Sequence, residues 1–235
     1  MLNRLHITLI LGIAVVAWVF SLFARGTPVT VDHLVPFGIA VSAVTVLCTT
    51  FDKWCWRYGV FKGWLVARPW LQGTWRVSLQ SNWVDPATGK QVGPIEGFMA
   101  IRQTFSALHM RLYTAESSSV SVTASILKSE DCLYRVAAVY QNEPSASLRG
   151  VRSEIHYGSL LLHVHADPPV TMTGHYWTDR STTGTLDFRD RKPALVSNFA
   201  DGVSLFAELS GLGPSGTSGT LITSLPALNT ETGQG

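Results

Sequence analysis

The stretch Gly174-His-Tyr-Trp-Thr-Asp-Arg-Ser-Thr-Thr-Gly184 concentrates groups able to recognise a small ligand. Aromatic faces stack on planar rings such as nucleobases, and a guanidinium pairs with phosphate oxygens through a two-pronged fork. Tyr176, Thr178 and Arg180 alternate with His175, Trp177 and Asp179, so an extended strand puts the first three on one face. If that face points inward, Arg180 carries a charge that is costly to bury without a partner. Two readings stay open. Arg180 holds a phosphate, or it makes an internal salt bridge, with Glu116 as the acid and Tyr176 and Trp177 as packing.

Other chemistry-like patterns fail on context. Gly211-x-Gly213-x-x-Gly216 has dinucleotide-fingerprint spacing, but no strand leads into it and Pro214 interrupts it. Ser/Thr-rich sequence follows where a helix should begin, so the spacing reads as chance. His163 and His165 sit two apart on one strand face without a Cys or carboxylate at ligand spacing, which favours packed or exposed histidines over a metal site. Cys48, Cys55 and Cys132 are an odd, scattered set and read as free thiols in a reducing compartment. There is no nucleophile elbow, P-loop or HExxH motif. Nothing in the pattern argues for an enzyme.

The elements that must carry the 174–184 stretch have strand spacing. Trp75, Val77 and Leu79 alternate with Thr74, Arg76, Ser78 and Gln80. Further strands are predicted over residues 95–105, 108–115, 118–128, 133–142, 152–164, 171–179 and 183–189. Turn residues such as Asp85-Pro86, Glu143-Pro144-Ser145 and Asp167-Pro168-Pro169 separate them. Eight strands joined mainly by short links predict an up-and-down antiparallel barrel, because closure removes exposed edges, and such a barrel can hold one small ligand. A two-sheet sandwich is the alternative. The predicted inner faces include Val120, Val122, Ala124 and Ile126 on one strand, and Tyr134, Val136, Ala138 and Tyr140 on the next. Several faces turn from apolar to polar toward one strand end, without revealing whether those ends share a mouth.

Ahead of the strands, residues 5–23 are an apolar run broken by His6, Thr8 and Ser21, and 34–51 are a second. Each approaches the roughly 20 residues that cross a bilayer at about 1.5 Å per residue. A cleaved signal peptide competes for the first run, with Arg4 before it and Ala24 after, but the second run argues for a helical hairpin. Basic residues lie at Arg4 and at Lys53, Arg57, Lys62 and Arg68, against only Arg25 between the runs, which predicts both termini and the barrel on the cytoplasmic side. Trp54, Trp56, Tyr58 and Trp64 fit an interfacial aromatic belt. Gly38, Ser42, Thr45 and Thr49 share one helical face, and Ala14 and Ala17 a comparable one. These small-residue faces pack the hairpin on itself or pack neighbouring subunits.

The expected architecture is therefore a membrane-anchored all-β protein: two N-terminal transmembrane helices followed by an eight-stranded antiparallel β-barrel. Residues 1–58 form the hairpin, 59–69 a juxtamembrane linker and 70–192 the barrel. Residues 193–210 form a short terminal helix or strand, and Gly, Ser, Thr and Pro predict a disordered tail over 211–235. Charged residues are 14% of the chain, against roughly 25% in soluble domains. Between Trp70 and Asp190 ten Lys/Arg face eleven Asp/Glu. A body so close to neutral argues against coating DNA or RNA polymers, though not against a small anion in a pocket.

Taken together, Gly73-Thr-Trp75 at the first strand, Thr114-Ala-Glu116-Ser-Ser118-Ser, and Gly174-His-Tyr-Trp-Thr-Asp-Arg180 continuing to Thr182-Thr-Gly184 carry a family likeness. Over about residues 5 to 190 the chain resembles the bacterial CBASS effectors built from two transmembrane helices and a β-barrel cyclic-nucleotide receptor domain. The resemblance implies an antiphage effector without cofactor, activated by a cyclic dinucleotide that a partner CD-NTase makes after infection. Self-association would follow, with disruption of the inner-membrane lipid bilayer and cell death. It further implies Arg180 for phosphate, with Tyr176, Thr178, Thr114 and Tyr140, then Glu116 and Ser118, for base and ribose. The competing readings are a membrane-tethered lipocalin-like lipid carrier, whose interior should be apolar throughout, and a scaffold with a large exposed apolar patch and no pocket.

Overall fold

A computed structural model describes residues 4–26, 30–84, 89–129, 133–149 and 153–207, with side chains of the first two helices described over 12–24, 38–39 and 41–53. Eight strands form a closed up-and-down barrel: β1 (Gly73–Ser81), β2 (Ile95–Gln103), β3 (Leu108–Thr114), β4 (Ser117–Lys128), β5 (Tyr134–Pro144), β6 (His156–Val164), β7 (Met172–Thr178) and β8 (Thr183–Lys192). Each strand pairs antiparallel with the next, and β8 returns to β1 through Ser81↔Gly184 to Thr74↔Lys192. The barrel, and not the sandwich, is the architecture. The tail expected after Gly211, the Gly211–Gly216 spacing and Cys132 lie outside the described residues.

Inward side chains are large at one end. Trp75, Ile101, Val136, Leu162, Met172 and Phe188 are each at most 2% exposed and form a solid floor. Below it the chain entering β1 crosses the base. Leu71 is fully buried, its N–H donates to Gln103 Oε1 (2.7 Å), and Gln103 Nε2 donates to the Pro69 carbonyl (2.9 Å). The buried amide of Gln103 is thus matched on both sides, as a dry site requires.

One inner face differs from expectation. A β-bulge between Ser121 and Thr123 shifts the register of β4 against β5. An extra residue flips every later side chain, so the single apolar face predicted for Val120, Val122, Ala124 and Ile126 splits. Val122 is 65% exposed, Ile126 is buried in the core, and Ser119 and Ser121 face the interior instead.

A third helix, α3 (Phe199–Ala207), decides between the helix and strand predicted for the terminal element. It packs outside β2, where Phe206 stacks on Phe98 (centroids 5.4 Å, 19°). Asn198 Oδ1 accepts from the Asp201 N–H (2.8 Å) and so caps the helix start, while Asp201 Oδ2 accepts from Ser197 Oγ (2.7 Å) just ahead of it. The Ser197 hydrogen bonds hold the Asp201 carboxyl below its usual range.

The helices ahead of the barrel are α1 (Arg4–Ala24) and α2 (Val31–Lys53). Among the described residues no helix is long and apolar enough to cross a membrane. The expectation of two membrane-spanning helices, and the multi-pass topology built on it, is corrected accordingly. Charged residues fall within the helices themselves, Arg4 at the start of α1 and Asp32, Asp52 and Lys53 near the two ends of α2, which shortens the uninterrupted apolar stretch. Gly38, Ser42, Thr45 and Thr49 lie exposed on α2, and Ala14 and Ala17 exposed on α1.

The end of α2 is tied to the barrel. Ser106 N–H donates to Asp52 Oδ1 (2.8 Å) and Phe105 N–H to the Asp52 carbonyl (2.9 Å), joining α2 to the β2–β3 turn. Phe51 meets Phe105 edge-on (5.3 Å) and Trp56 meets Trp70 (5.3 Å). Trp56 is 1% exposed, so it serves as a packing pin here and not as a member of the predicted aromatic belt. Trp54, Tyr58 and Trp64 are exposed.

Candidate functional site

In an up-and-down barrel the ends of odd strands and the starts of even strands meet at one mouth. Thr114, Asn142 and Thr178 end or nearly end β3, β5 and β7, while Ser117 and Ser119 begin β4. The polar ends left unplaced by the sequence therefore converge. They surround a cavity of about 410 Å³ that opens at this mouth, opposite the Trp75 floor. The size falls within the range of small-molecule pockets. Leu79, Met99, Met110 and Leu112 supply its apolar side, and Trp83 and Val92 reach it from the segment between β1 and β2.

Six of the seven predicted ligand residues line this cavity: Arg180, Thr178, Tyr176, Thr114, Tyr140 and Glu116. Ser118 is not among the lining residues. It pairs in register with Tyr113 and Glu143, and its neighbours Ser117 and Ser119 line the cavity in its place. The off-by-one follows from strand alternation. Arg180 was expected on an inward face; it is exposed at the rim, donating from Nη1 to Ser153 Oγ (3.2 Å).

The hydroxyls differ in availability. Thr178 Oγ1 lies 2.6 Å from Thr182 Oγ1 and accepts from the Thr182 N–H (3.3 Å), which braces the β7–β8 turn. Thr114 Oγ1 likewise accepts from the Ser117 N–H (3.0 Å) in the β3–β4 turn. These two threonines hold the rim in shape. Ser119 Oγ donates to Asn142 Oδ1 (2.8 Å), so the Asn142 carbonyl is engaged while its amide belongs to a donor group beside the cavity. Burial pushes the Tyr140 phenol above its ordinary pKa, with Tyr176 and Asp179 adding to the effect. It therefore stays protonated, able to donate a hydrogen bond at neutral pH.

Sequence reasoning missed Ser119, Ser121, Asn142 and His156, all of which line the cavity. Asn142 is one alternation beyond Tyr140 and was legible by extending that face. Ser119 and Ser121 were hidden by the bulge. Elsewhere, His163 and His175 meet at 6.4 Å and His165 Nε2 lies 2.8 Å from Thr173 Oγ1. Among the described residues no cluster of three or more His, Cys, Asp or Glu could hold a metal.

A closed barrel filled at one end and open at the other, as a cup with apolar walls and polar groups toward its mouth, defines a small-ligand receptor scaffold. The comparisons agree with that class. The family model described as "Cap15, cyclic dinucleotide receptor domain" matches residues 66–190, more than half of the chain, and the chain belongs to this family. CD-NTase-associated protein 15 of Yersinia aleksiciae is 32% identical over 139 residues, 58% of this chain and 62% of the relative. The match thus spans less than two thirds of the relative's length. The matched family region contains β1 to β7, β8 as far as Asp190, the floor and the cup. Its description is that of a receptor and not of a catalyst.

Proposed function

We propose that the cup binds a cyclic dinucleotide made by a partner CD-NTase and that the chain acts as a CBASS effector in antiphage defence. The observation that carries this reading is the one-mouthed cavity inside the family-matched region, with Tyr140, Tyr176 and Asn142 in its wall and Arg180 at its rim. In this reading the tyrosines and Asn142 meet bases and ribose, and the Arg180 guanidinium meets phosphate, where charge-assisted pairing is strongest. A lipid carrier would want apolar lining throughout, whereas here the polar groups gather at the mouth.

Occupancy then favours a self-associated state, which requires the ligand to bind that state better than the resting one. The place of action in this proposal is the cytoplasmic side of the inner membrane. The exposed apolar residues Val16, Phe20 and Phe23 of α1 and Val46 and Leu47 of α2 would engage and disturb lipid once gathered.

A thermal-shift and calorimetric screen of the full chain against a panel of cyclic dinucleotides tests the binding step. At a hundredfold excess over Kd, binding to the folded state alone adds about 2.7 kcal/mol, or a Tm rise of roughly 5 to 10 °C. Arg180→Ala is expected to weaken binding about ten- to hundredfold with stability little changed, since the residue is exposed. Silence across the whole panel overturns the reading, and full affinity in Arg180→Ala overturns the phosphate assignment.

A further inference from the structure

Tyr140 and Tyr176 each face a glycine on the following strand. Tyr140 on β5 is in register with Gly158 on β6, and Tyr176 on β7 with Gly184 on β8. A Cβ placed on Gly158 would collide with Tyr140 Cζ and Oη, and one on Gly184 would lie 2.5 Å from Tyr176 Cε1 and 2.7 Å from Cζ. The rings therefore lie back over the glycines, at a distance that only the missing side chain permits. Backbone is close as well: Trp177 O sits 2.8 Å from the Gly158 position, and Gln80 O collides at Gly184.

We infer that Gly158 and Gly184 are positioning residues that keep the cup open, by giving each tyrosine ring a recess in the wall beside it. Both rings lean the same way around the barrel, each against the next strand, and both tyrosines line the cavity. With one ring face against the wall, the other is left toward the interior, as a platform for a planar group. A side chain at Gly158 meets the Tyr140 ring first, and one at Gly184 meets the Gln80 carbonyl and then the Tyr176 ring; a ring lifted off the wall moves toward the cavity. Cup size, and so the discrimination between a two-base ligand and a single nucleotide, is then set by the glycines and not by the tyrosines alone. This inference rests on the cyclic-dinucleotide reading for its ligand, though not for its geometry.

A double-mutant cycle on the full chain tests it: Gly158→Ala, Tyr140→Ala and the double variant, read by cyclic-dinucleotide affinity, by affinity for a nucleoside monophosphate, and by Tm. Gly158→Ala is expected to weaken dinucleotide binding at least tenfold more than monophosphate binding. In the Tyr140→Ala background the same change should cost less than threefold in affinity and a smaller drop in Tm, because no ring remains to be displaced. Equal costs in both backgrounds show that the Trp177 carbonyl alone excludes a side chain, and they overturn the inference at this site. If Gly158→Ala fails to fold while the double variant folds, the recess is supported. If both fail, it is overturned there, and the same cycle on Gly184 and Tyr176 decides the second site. Should wild type bind no cyclic dinucleotide, the functional reading falls, while the Tm arm still decides the ring-and-recess geometry.

Discussion

The two ends of this barrel are built by the same eight strands and come out opposite. At the base, inward positions hold Trp75, Ile101, Val136, Leu162, Met172 and Phe188, and nothing is left open. At the mouth, the continuing inward positions hold Ser81, Ser119, Asn142, Gly158, Thr178 and Gly184, and a cavity of about 410 Å³ remains. Register shifts interrupt the pairing after Ser121 on β4 and between Thr74 and Arg76 on β1. The larger difference between the halves is side-chain volume. An eight-stranded barrel has an interior that large residues just fill, and small ones leave a cup. The base supplies stability, and the mouth can then hold polar groups that a packed core would not tolerate.

That contrast can be broken most severely at the floor. Trp75→Ala removes a fully buried ring whose Nε1 donates to the Leu71 carbonyl (2.9 Å) and which meets Phe188 edge-on at 6.5 Å. A loss of about 3 to 5 kcal/mol in urea unfolding is expected, with the cup failing only because the fold does. Ala138→Leu sharpens the comparison from the other side, by extending the plug upward. Ala138 is 5% exposed and lines the bottom of the cavity. Here stability should change by less than about 1.5 kcal/mol while dinucleotide affinity falls more than tenfold. A loss of stability with affinity intact would show that this level belongs to the packed core.

Smaller effects follow at the rim. Asn142→Ala leaves Ser119 Oγ without its acceptor. The expected cost is about 1 to 2 kcal/mol in unfolding free energy, and binding should weaken with it. The smallest effect is in pH. The Tyr140 phenol has a folded pKa raised by burial, above the unfolded value of about 10. Its contribution is fully present below pH 10 and is lost as pH rises above that. Unfolding midpoints should hold steady from pH 7 to 9 and fall beyond 10, and Tyr140→Phe should flatten part of that fall. An unchanged fall would place the responsible phenol elsewhere.

Much of the cup was legible because its residues sit on strands whose alternation is regular. Tyr140, Tyr176 and Thr178 could be placed on inner faces by counting in twos, and the structure lines the cavity with all three. Counting in twos failed where the count itself was broken. The bulge after Ser121 turned Val122 outward and brought Ser119 and Ser121 in, and no residue type in 117–123 announces it. Ser118 was misplaced by one position for the same reason that any strand reading is fragile: a single step reverses the face. The apolar runs ahead of the barrel invited a membrane reading from hydropathy alone, and among the described residues no helix is long and apolar enough to cross a membrane.

The sequence by itself determined the number of strands and, outside the bulged β4, their alternation, because each is a local property written in spacing and side-chain type. Only the tertiary structure decided that the polar strand ends share one mouth. It likewise decided that Arg180 stands at a rim and that two tyrosines rest on glycines across the sheet. Those depend on pairing register between strands far apart in the chain, and register is settled by the whole barrel closing on itself and not by any one segment.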